Sequence, residues 1–403
     1  MNDPSGVRVT GPLETHATGF AAELSRQGYT SNSQSLQLQL VAHLSRWMAG
    51  QGLDAGGLEP AVIERFTAAR RKAGYANHRS AQALEPLLSY LRKLRAAPPA
   101  PASVAVGALE QLLERYRRYL AGERGLTEAS INAYLRAAKP FLVDRKVSGK
   151  INLEGLKAAD LSAFTLARCS HQGRDQAKMT VTALRSLLGF LHLEGEIDRP
   201  LAAAVPSASS WQMQALPKGL EPAEVERLLA SCDPSSANGR RDLAILSTLV
   251  RLGLRRGEVA GLGLDDIDWR AGEILVRGKG SRLERMPLPS DVGEAVAAYL
   301  KAGRPSTAEG RAVFIRVKAP HRAMSPGAVT QVVAAAARRS GLPQIHAHCL
   351  RHSAATQLLR AGATLPEVGQ LLRHRSIQST AIYAKLDRDS LREIARPWPG
   401  ADR

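Results

Sequence analysis

The feature that most constrains the fold is a stretch of sequence that recurs once at a nearly constant distance. Apolar residues within it follow the i, i+3, i+4, i+7 spacing of amphipathic helices. Three matched pairs define the recurrence, at offsets of 97, 98 and 100 residues: 28–33 with 125–130, FTAAR at 66–70 with FTLAR at 164–168, and ALEPLLSYL at 83–91 with ALRSLLGFL at 183–191. The pattern predicts two consecutive four-helix modules of about 80 to 90 residues. A chance likeness between Ala/Leu/Arg-rich helices is the alternative.

Two Ala- and Pro-rich stretches suggest where the chain is divided. With 403 residues, the chain is too long for one ordinary core. Linkers over 97–108 and 196–217 would separate three domains, at 1–96, 109–195 and 218–403. In the third, GEILVRG and RLERMPLP alternate like the strands of a β-hairpin. We therefore expect a mainly α fold with a small antiparallel β-hairpin or sheet in the last domain.

The last domain also contains residues suited to attack on a phosphodiester. Arginines can clamp phosphate oxygens, lysine and histidine can move protons, and tyrosine can be the nucleophile. Tyrosine needs help, because a phenol ordinarily has a pKa near 10. These residues are Arg255 in GLRRGEV, Lys279 between two glycines, His348 and Arg351 in a His-x-x-Arg pair, His374, and Tyr383 nine residues beyond it.

In order and spacing, these segments resemble the tyrosine recombinases, also called phage integrases. The likeness rests on GLR-x-x-E, GKG, H-x-x-RH and a histidine followed nine residues later by tyrosine, all within 217–395, with a weaker match over 109–195. The resemblance implies two helical-bundle modules followed by a tyrosine-recombinase catalytic domain. It also implies a site-specific DNA recombinase of a mobile element, an integrase or tyrosine transposase, that cleaves and rejoins DNA through a 3′-phosphotyrosyl intermediate.

The resemblance also suggests a role for each residue. Arg255 and Arg351 would clamp the phosphate, and Lys279 would protonate the leaving 5′ oxygen. His348 would be the general base toward Tyr383, and His374 would donate a hydrogen bond to a non-bridging oxygen. A further carboxylate, Glu258, would orient the cations. The chemistry calls for no cofactor and no metal, and three cysteines without C-x-x-C spacing suggest no zinc site.

Three residues near this set are given lesser roles. Arg373 stands where the family commonly has glycine, and we expect the change to leave His374 in place. His352 directly follows the His-x-x-Arg pair and is interpreted as structural. Cys349 lies inside the pair, but the tyrosine is the better nucleophile.

The second helical module resembles the family's core-binding domain, which grips one face of DNA. Thr127 or Ser130 would cap its second helix. Five arginines are plausible phosphate contacts, although a solvated basic face is an equal alternative for each: Arg115, Arg117, Arg118, Arg124 and Arg136. The first module would be a further DNA-binding module or a protein-contact module.

The charge of the chain favours a polyanionic partner. Lys and Arg total 55 against 37 Asp and Glu, a net charge of +18. Each phosphate that a basic side chain neutralises releases condensed counterions. An arginine-rich proteome is the competing explanation. We expect a partner of double-stranded DNA, assembly as a dimer on one site and a tetramer in synapsis through the C-terminal tail, and possible companion recombinases.

Neither a membrane span nor a secretory signal is expected, because no apolar run reaches 18 residues and the N-terminus lacks a signal-like pattern. The expected location is the cytoplasm, at the bacterial nucleoid. Two other functions share parts of the pattern. A catalytically inactive DNA-binding or architectural protein would keep the fold, but all six catalytic positions are filled. A type IB topoisomerase would use the same chemistry without needing two helical modules.

Overall fold

A computed structural model of the chain describes residues 6–100, 107–147, 149–207, 219–278, 282–374, 380 and 382–383. These residues form fifteen α-helices and five short strands, which confirms the predicted mainly α class with a small antiparallel sheet. The chain divides into two compact units, one of Met1–Pro99 with Met213–Arg403 and one of Ala100–Gln212. Within the described residues, no helix is both long and apolar enough to cross a bilayer. The three-domain division stays a prediction.

Four helices form the first module: α1 (Glu14–Arg26), α2 (Ser31–Ala49), α3 (Pro60–Lys72) and α4 (Glu85–Lys93). They enclose a core of their own that includes Phe20, Leu44 and Phe66. The second helix begins where the Thr30 side chain accepts a hydrogen bond from the backbone N–H of Ser33. Such an N-cap satisfies a backbone donor that the first helical turn leaves without a partner.

The second module also has four helices and a separate core: α5 (Ala108–Gly122), α6 (Glu128–Asp144), α7 (Ala158–Cys169) and α8 (Arg174–Leu193). The predicted cap is confirmed, since the Thr127 side chain accepts from the backbone N–H of Ser130. Between α6 and α7 lies a two-stranded antiparallel hairpin, β1 (Lys146–Val147) and β2 (Lys150–Ile151), which the sequence pattern did not predict.

Buried positions in the two modules match each other in register. In each pair, both side chains are buried: Leu13 with Leu109, Phe20 with Tyr116, Leu24 with Leu120, Leu44 with Phe141, Leu84 with Leu184, Leu87 with Leu187, Leu88 with Leu188, and Leu91 with Leu191. The modules therefore bury the same faces of successive helices. Common descent by duplication stays a prediction.

The C-terminal part combines helices with a three-stranded antiparallel sheet in the order β3-β4-β5. Its elements are α9 (Pro222–Ala230), α10 (Ala237–Arg251), α11 (Arg256–Ala260), β3 (Ile267–Asp268), β4 (Glu273–Arg277), β5 (Leu283–Pro287), α12 (Ser290–Ala302), α13 (Pro326–Arg339), α14 (Ala347–Arg360) and α15 (Leu365–Leu371). Strands β4 and β5 form the predicted hairpin, with Leu275 opposite Arg285. Strand β3 was not predicted.

Local signals in the sequence fix where several of these elements begin and end. Helix α10 buries Ile245, Leu246 and Leu249 against its neighbours, and burying each such side chain contributes about 1.5 to 3 kcal/mol. A capping box opens α15, since the backbone N–H of Thr364 donates to Glu367 at 2.7 Å. These ends set the positions of the loops that carry the candidate site.

Within the first compact unit, the turn between α1 and α2 contacts the loop between α12 and α13. The backbone N–H of His321 donates to the carbonyl of Gln27 at 3.3 Å, and Arg26 forms an ion pair with Glu309. Gly28 lies under the His321 ring with a φ of +82°, and a Cβ placed there would be 2.3 Å from Nδ1 of His321. Only glycine combines this backbone conformation with such a close approach.

We predict that Gly28→Ala weakens this contact more than a matched glycine substitution does. Gly52 also has a positive φ, of +66°, but its Cβ would meet nothing within 4 Å. Gly52→Ala should therefore cost only the backbone strain, about 1 to 2 kcal/mol. Gly28→Ala should cost a similar backbone strain and about 1 to 3 kcal/mol more of folding free energy, because the new Cβ displaces His321.

Hydrogen exchange of the α1 and α2 amides would measure how much protection each variant loses. Thermal unfolding of the same variants would show how much of that loss comes from lower global stability. Equal loss of protection in the two variants would contradict a specific contact at Gly28.

Candidate active site

Arg255 and the distant His348–Arg351 pair line one cleft of about 410 Å³. Arg255 comes from the start of α11, and His348 and Arg351 come from α14. Thr330 on α13 and His346 before α14 complete much of the wall. The convergence predicted for these three residues is therefore present. A concave site with several cations is suited to binding an anion.

Arg255 is held by the turn that precedes α11. Its backbone N–H donates to Oε2 of Glu258 at 2.8 Å, and its Nη1 donates to Oε1 of the same carboxylate at 2.7 Å. The Glu258 side chain is only 4% exposed, whereas that of Arg255 is 41% exposed. The carboxylate thus anchors the buried side of the guanidinium, and the remaining donors of Arg255 are left for a ligand.

Glu258 is charged although it is buried. Burial raises the pKa of its carboxyl, but the Arg255 backbone N–H and the charges of Arg373 and Arg255 outweigh burial and lower that pKa below its ordinary value. This carboxylate is the one expected from sequence to orient the cations. It contacts Arg255, as expected, and it also contacts Arg373, for which the sequence suggested no role.

Arg351 is the most deeply buried of the cations, at 2% exposure. Its Nη1 donates to the carbonyl of Gly253 at 2.6 Å, and its Nη2 donates to the carbonyl of Leu372. Burial, together with the nearby charges of Arg255 and Arg373, lowers the pKa of Arg351 to about 10. The group remains a cation at neutral pH, fixed between the turn before α11 and the end of α15.

Three histidines of the site are neutral at neutral pH. Burial is the largest cause of the lowered pKa of each imidazole. The next cause is neighbouring positive charge for His348 and His374, and the His348 ring for His352. These effects lower the pKa of His348 and bring the pKa of both His352 and His374 to about 4. His374 hydrogen-bonds through Nδ1 to the Thr380 hydroxyl at 2.8 Å, which leaves its Nε2 for a ligand.

Tyr383 is buried, and its hydroxyl lies 2.7 Å from Nδ1 of His352. Burial raises the pKa of Tyr383 to about 12, although the charge of Arg351 lowers it in part. A phenol in this setting needs a base, and a neutral imidazole at hydrogen-bond distance is one. The sequence indicated His348 for this contact, but the imidazole at the hydroxyl is that of His352.

Spacing was the signal that could have identified His352. Residues four apart on a helix share a face, and the His348 and His352 rings meet edge to face with centroids 4.3 Å apart. Cys349 between them is half-buried. Lys279, the sixth predicted catalytic residue, lies outside the described residues, as does the predicted docking tail beyond Tyr383.

The five arginines proposed as DNA contacts differ in their surroundings. Arg115 pairs with Glu194 and Glu196, and Arg117 pairs with Glu128, so both are engaged within their own module. The other three are exposed: Arg118, Arg124 and Arg136. These three exposed arginines are better placed to contact a phosphate backbone than the two paired ones.

Among the described residues, no group of three or more His, Cys, Asp or Glu side chains could hold a metal ion. The arrangement supplies fixed guanidinium groups, neutral imidazoles and a phenol with a base beside it. It can bind an oxyanion and deprotonate a tyrosine.

Comparison with known proteins agrees with this set of groups. Residues 218–389 match the family described as the phage integrase family. A putative integrase/recombinase, y4rA of Sinorhizobium fredii, is 39% identical over 394 residues, which cover 97% of this chain and 95% of the relative. The chain belongs to the phage integrase family.

A second relative is named a tyrosine recombinase. XerD of Mycobacterium tuberculosis is 33% identical over 308 residues, covering 72% of this chain and 96% of the relative. Two solved structures share the fold at about one-fifth sequence identity. They are XerH bound to a palindromic difH substrate (20% identical, TM-score 0.55, 82% of this chain and 93% of that one) and a lambda integrase dimer bound to a COC′ core site (19%, TM-score 0.53, 85% and 89%).

We predict that the neutral histidines make stability fall in mild acid. In the unfolded chain a histidine binds its proton near pH 6.5, whereas folded His352 and His374 do so only near pH 4. The free energy of unfolding should therefore drop as the pH falls from about 6.5 to about 4. For His352 the drop should be on the order of 1 to 2 kcal/mol, less than the full pKa difference would give, because solvent screens the partly exposed ring.

Urea denaturation across this pH range would measure the slope. His352→Asn should flatten it, because asparagine does not titrate, while His171→Asn at an exposed position should leave it unchanged. An unchanged slope in His352→Asn would mean that His352 is not held neutral.

Proposed function

We propose that the protein is a site-specific DNA recombinase, an integrase or tyrosine transposase of a mobile element. The observation that carries the proposal is the convergence of Arg255, Arg351 and His348 on one cleft, with Tyr383 within electrostatic reach of Arg351. The near full-length likeness to a putative integrase/recombinase supports it.

In the proposed reaction, Arg255 and Arg351 hold the non-bridging oxygens of one DNA phosphate. The phenol oxygen of Tyr383 attacks phosphorus, and its proton passes to His352, the imidazole at hydrogen-bond distance. The bond between phosphorus and the 5′ oxygen breaks, and Lys279 gives that oxygen a proton. The products are a 3′-phosphotyrosyl link and a free 5′ hydroxyl. His374 donates a hydrogen bond that grows stronger as charge develops on phosphate.

Rejoining is the same reaction in reverse. A 5′ hydroxyl from another strand attacks the phosphotyrosyl bond, which releases Tyr383 and joins the strands. The bond energy is conserved in the intermediate, so the proposal includes no nucleotide cofactor and no metal.

The proposed partner is double-stranded DNA, gripped by the helical domain of 109–195 and the catalytic domain of 218–403. By analogy with lambda integrase, whose structures include a dimer on a core site and a tetramer on a Holliday junction, we propose a dimer on one site and a tetramer in synapsis. In this proposal the C-terminal tail links neighbouring protomers, and the assembly, at the nucleoid in the cytoplasm, is open to companion recombinases.

The proposal predicts a covalent protein–DNA adduct that depends on Tyr383. A duplex pool with a randomised segment, quenched in detergent, would yield the cleaved sequence from DNA that stays attached to protein. A duplex of that sequence with a nick near the cut then traps the adduct, because the short 5′ product diffuses away. Tyr383→Phe should abolish the adduct, and Arg255→Lys or Arg351→Lys should lower its rate of formation about 100-fold or more, since lysine cannot donate two parallel hydrogen bonds.

The same assay tests whether His352, rather than His348, is the base that accepts the proton of Tyr383. If His352 is the base, His352→Asn should slow the adduct more at neutral pH than at pH 9, where hydroxide can remove more of the phenol proton. Binding without any adduct from the wild-type protein would favour the inactive DNA-binding alternative. Relaxation of supercoiled DNA without strand exchange between marked duplexes would favour a topoisomerase.

The exposed arginines of the second module predict a separate effect on binding. Arg118→Ala combined with Arg136→Ala should weaken binding similarly for all sequences and reduce the salt dependence of log K by about 2, because each lost phosphate contact removes nearly one released counterion. Arg115→Ala serves as the comparison, since Arg115 is paired with two glutamates. Fluorescence anisotropy at several salt concentrations would test this, and equal slopes in all variants would contradict it.

A further inference from the structure

Arg373, directly before His374, has a backbone conformation that arginine rarely adopts. Its φ is +52°, in the left-handed region that favours glycine. Its side chain is nevertheless 5% exposed, so the guanidinium is almost completely withdrawn from solvent. Both features are unfavourable for an arginine. Specific contacts must compensate for them.

The guanidinium joins three separate segments of the C-terminal part. Nη2 donates to Oε2 of Glu258 on α11 at 2.7 Å, and Nη1 lies 2.7 Å from Sδ of Met286 on β5. Nη1 also donates to the carbonyl of Leu371 at the end of α15, at 3.1 Å. Nε lies 3.9 Å from Oε2 of Glu284, again on β5.

The contact with Glu258 reaches Arg255 through the shared carboxylate. Oε2 accepts from both Arg373 and the Arg255 backbone, and Oε1 accepts from the Arg255 guanidinium. A buried carboxylate keeps its charge only when paired. Arg373 supplies a second cation on its buried side, so that Glu258 stays ionised and continues to hold Arg255 at the wall of the cleft.

We propose that Arg373 is a positioning residue for the proposed cleavage reaction. It fixes Glu258, and through it Arg255, and it ties β5 to the segment that leads into His374. This inference rests on the proposed function. Direct contact between Arg373 and a DNA phosphate is a poorer explanation, because Arg255 and Arg351 line the cleft whereas Arg373 is not among its lining residues.

The chain offers a matched pair of substitutions to test this. Arg373→Gly removes the guanidinium while glycine accepts the backbone conformation. Arg95→Gly makes the same change at an exposed arginine after α4 with a φ of +56°, and so it loses the same charge and relieves the same strain. Adduct formation would be followed with the nicked duplex described above, and noncovalent affinity would be measured on the same DNA.

We expect Arg373→Gly to slow single-turnover adduct formation about 100-fold while its affinity for the duplex changes less than threefold, because a small displacement of a catalytic group has an effect of this size on rate. Arg95→Gly should match the wild type in both measurements. Arg373→Lys should recover part of the rate, since it restores the charge beside Glu258 but not both of the contacts made by Nη1 and Nη2.

Adding Glu258→Gln distinguishes positioning from general loss of structure. If Arg373 acts through Glu258, the double variant should be no slower than Glu258→Gln alone, whereas independent contributions would multiply.

A wild-type rate in Arg373→Gly would overturn the inference and leave the proposed function standing. So would a parallel loss of affinity and rate, or multiplied effects in the double variant. A wild-type protein that forms no adduct with any duplex in the pool would overturn the proposed function itself, and the inference with it.

Discussion

The site depends on burying the guanidinium of Arg351 between two backbone carbonyls. One carbonyl belongs to Gly253, two residues before Arg255, and the other belongs to Leu372, two residues before His374. A buried cation is tolerated only when its donors are satisfied. The hydrogen bonds that stabilise Arg351 therefore also bring the segments of Arg255 and His374 to α14, so the folding requirement and the convergence of the site have the same cause.

The charge balance of this pocket explains the state of its other groups. Arg255, Arg351 and Arg373 lie near one another, and Glu258 is the carboxylate that pairs with two of them. Burial and neighbouring positive charge keep the three histidines unprotonated, and burial raises the pKa of Tyr383 to about 12 although the charge of Arg351 lowers it in part. An oxyanion bound between the arginines would offset this repulsion. It would favour protonated imidazole just where the proposed reaction transfers a proton.

Much of this organisation could be predicted from sequence, because local signals determine it. Thr127 caps the helix it was expected to cap, and the β4–β5 hairpin follows the alternation of its residues. Arg255, His348 and Arg351 meet as their spacing in known motifs suggested. Contacts between distant segments were not predictable. The pairing of Arg373 with Glu258 joins residues more than one hundred positions apart, and no local pattern distinguishes it from a change without consequence. Likewise, His352 was interpreted as structural because its partner, Tyr383, is reached only through the tertiary fold.

The central claim is that a DNA phosphate held by these cations is attacked by one phenol oxygen. The most direct test is mass spectrometry of the trapped protein–DNA adduct after digestion with nuclease and trypsin. Cleavage after Arg375 and Lys385 releases a peptide in which Tyr383 is the only tyrosine. The account predicts a nucleotide 3′-phosphate on Tyr383. A nucleotide on any other residue, or one attached through its 5′-phosphate, would contradict it.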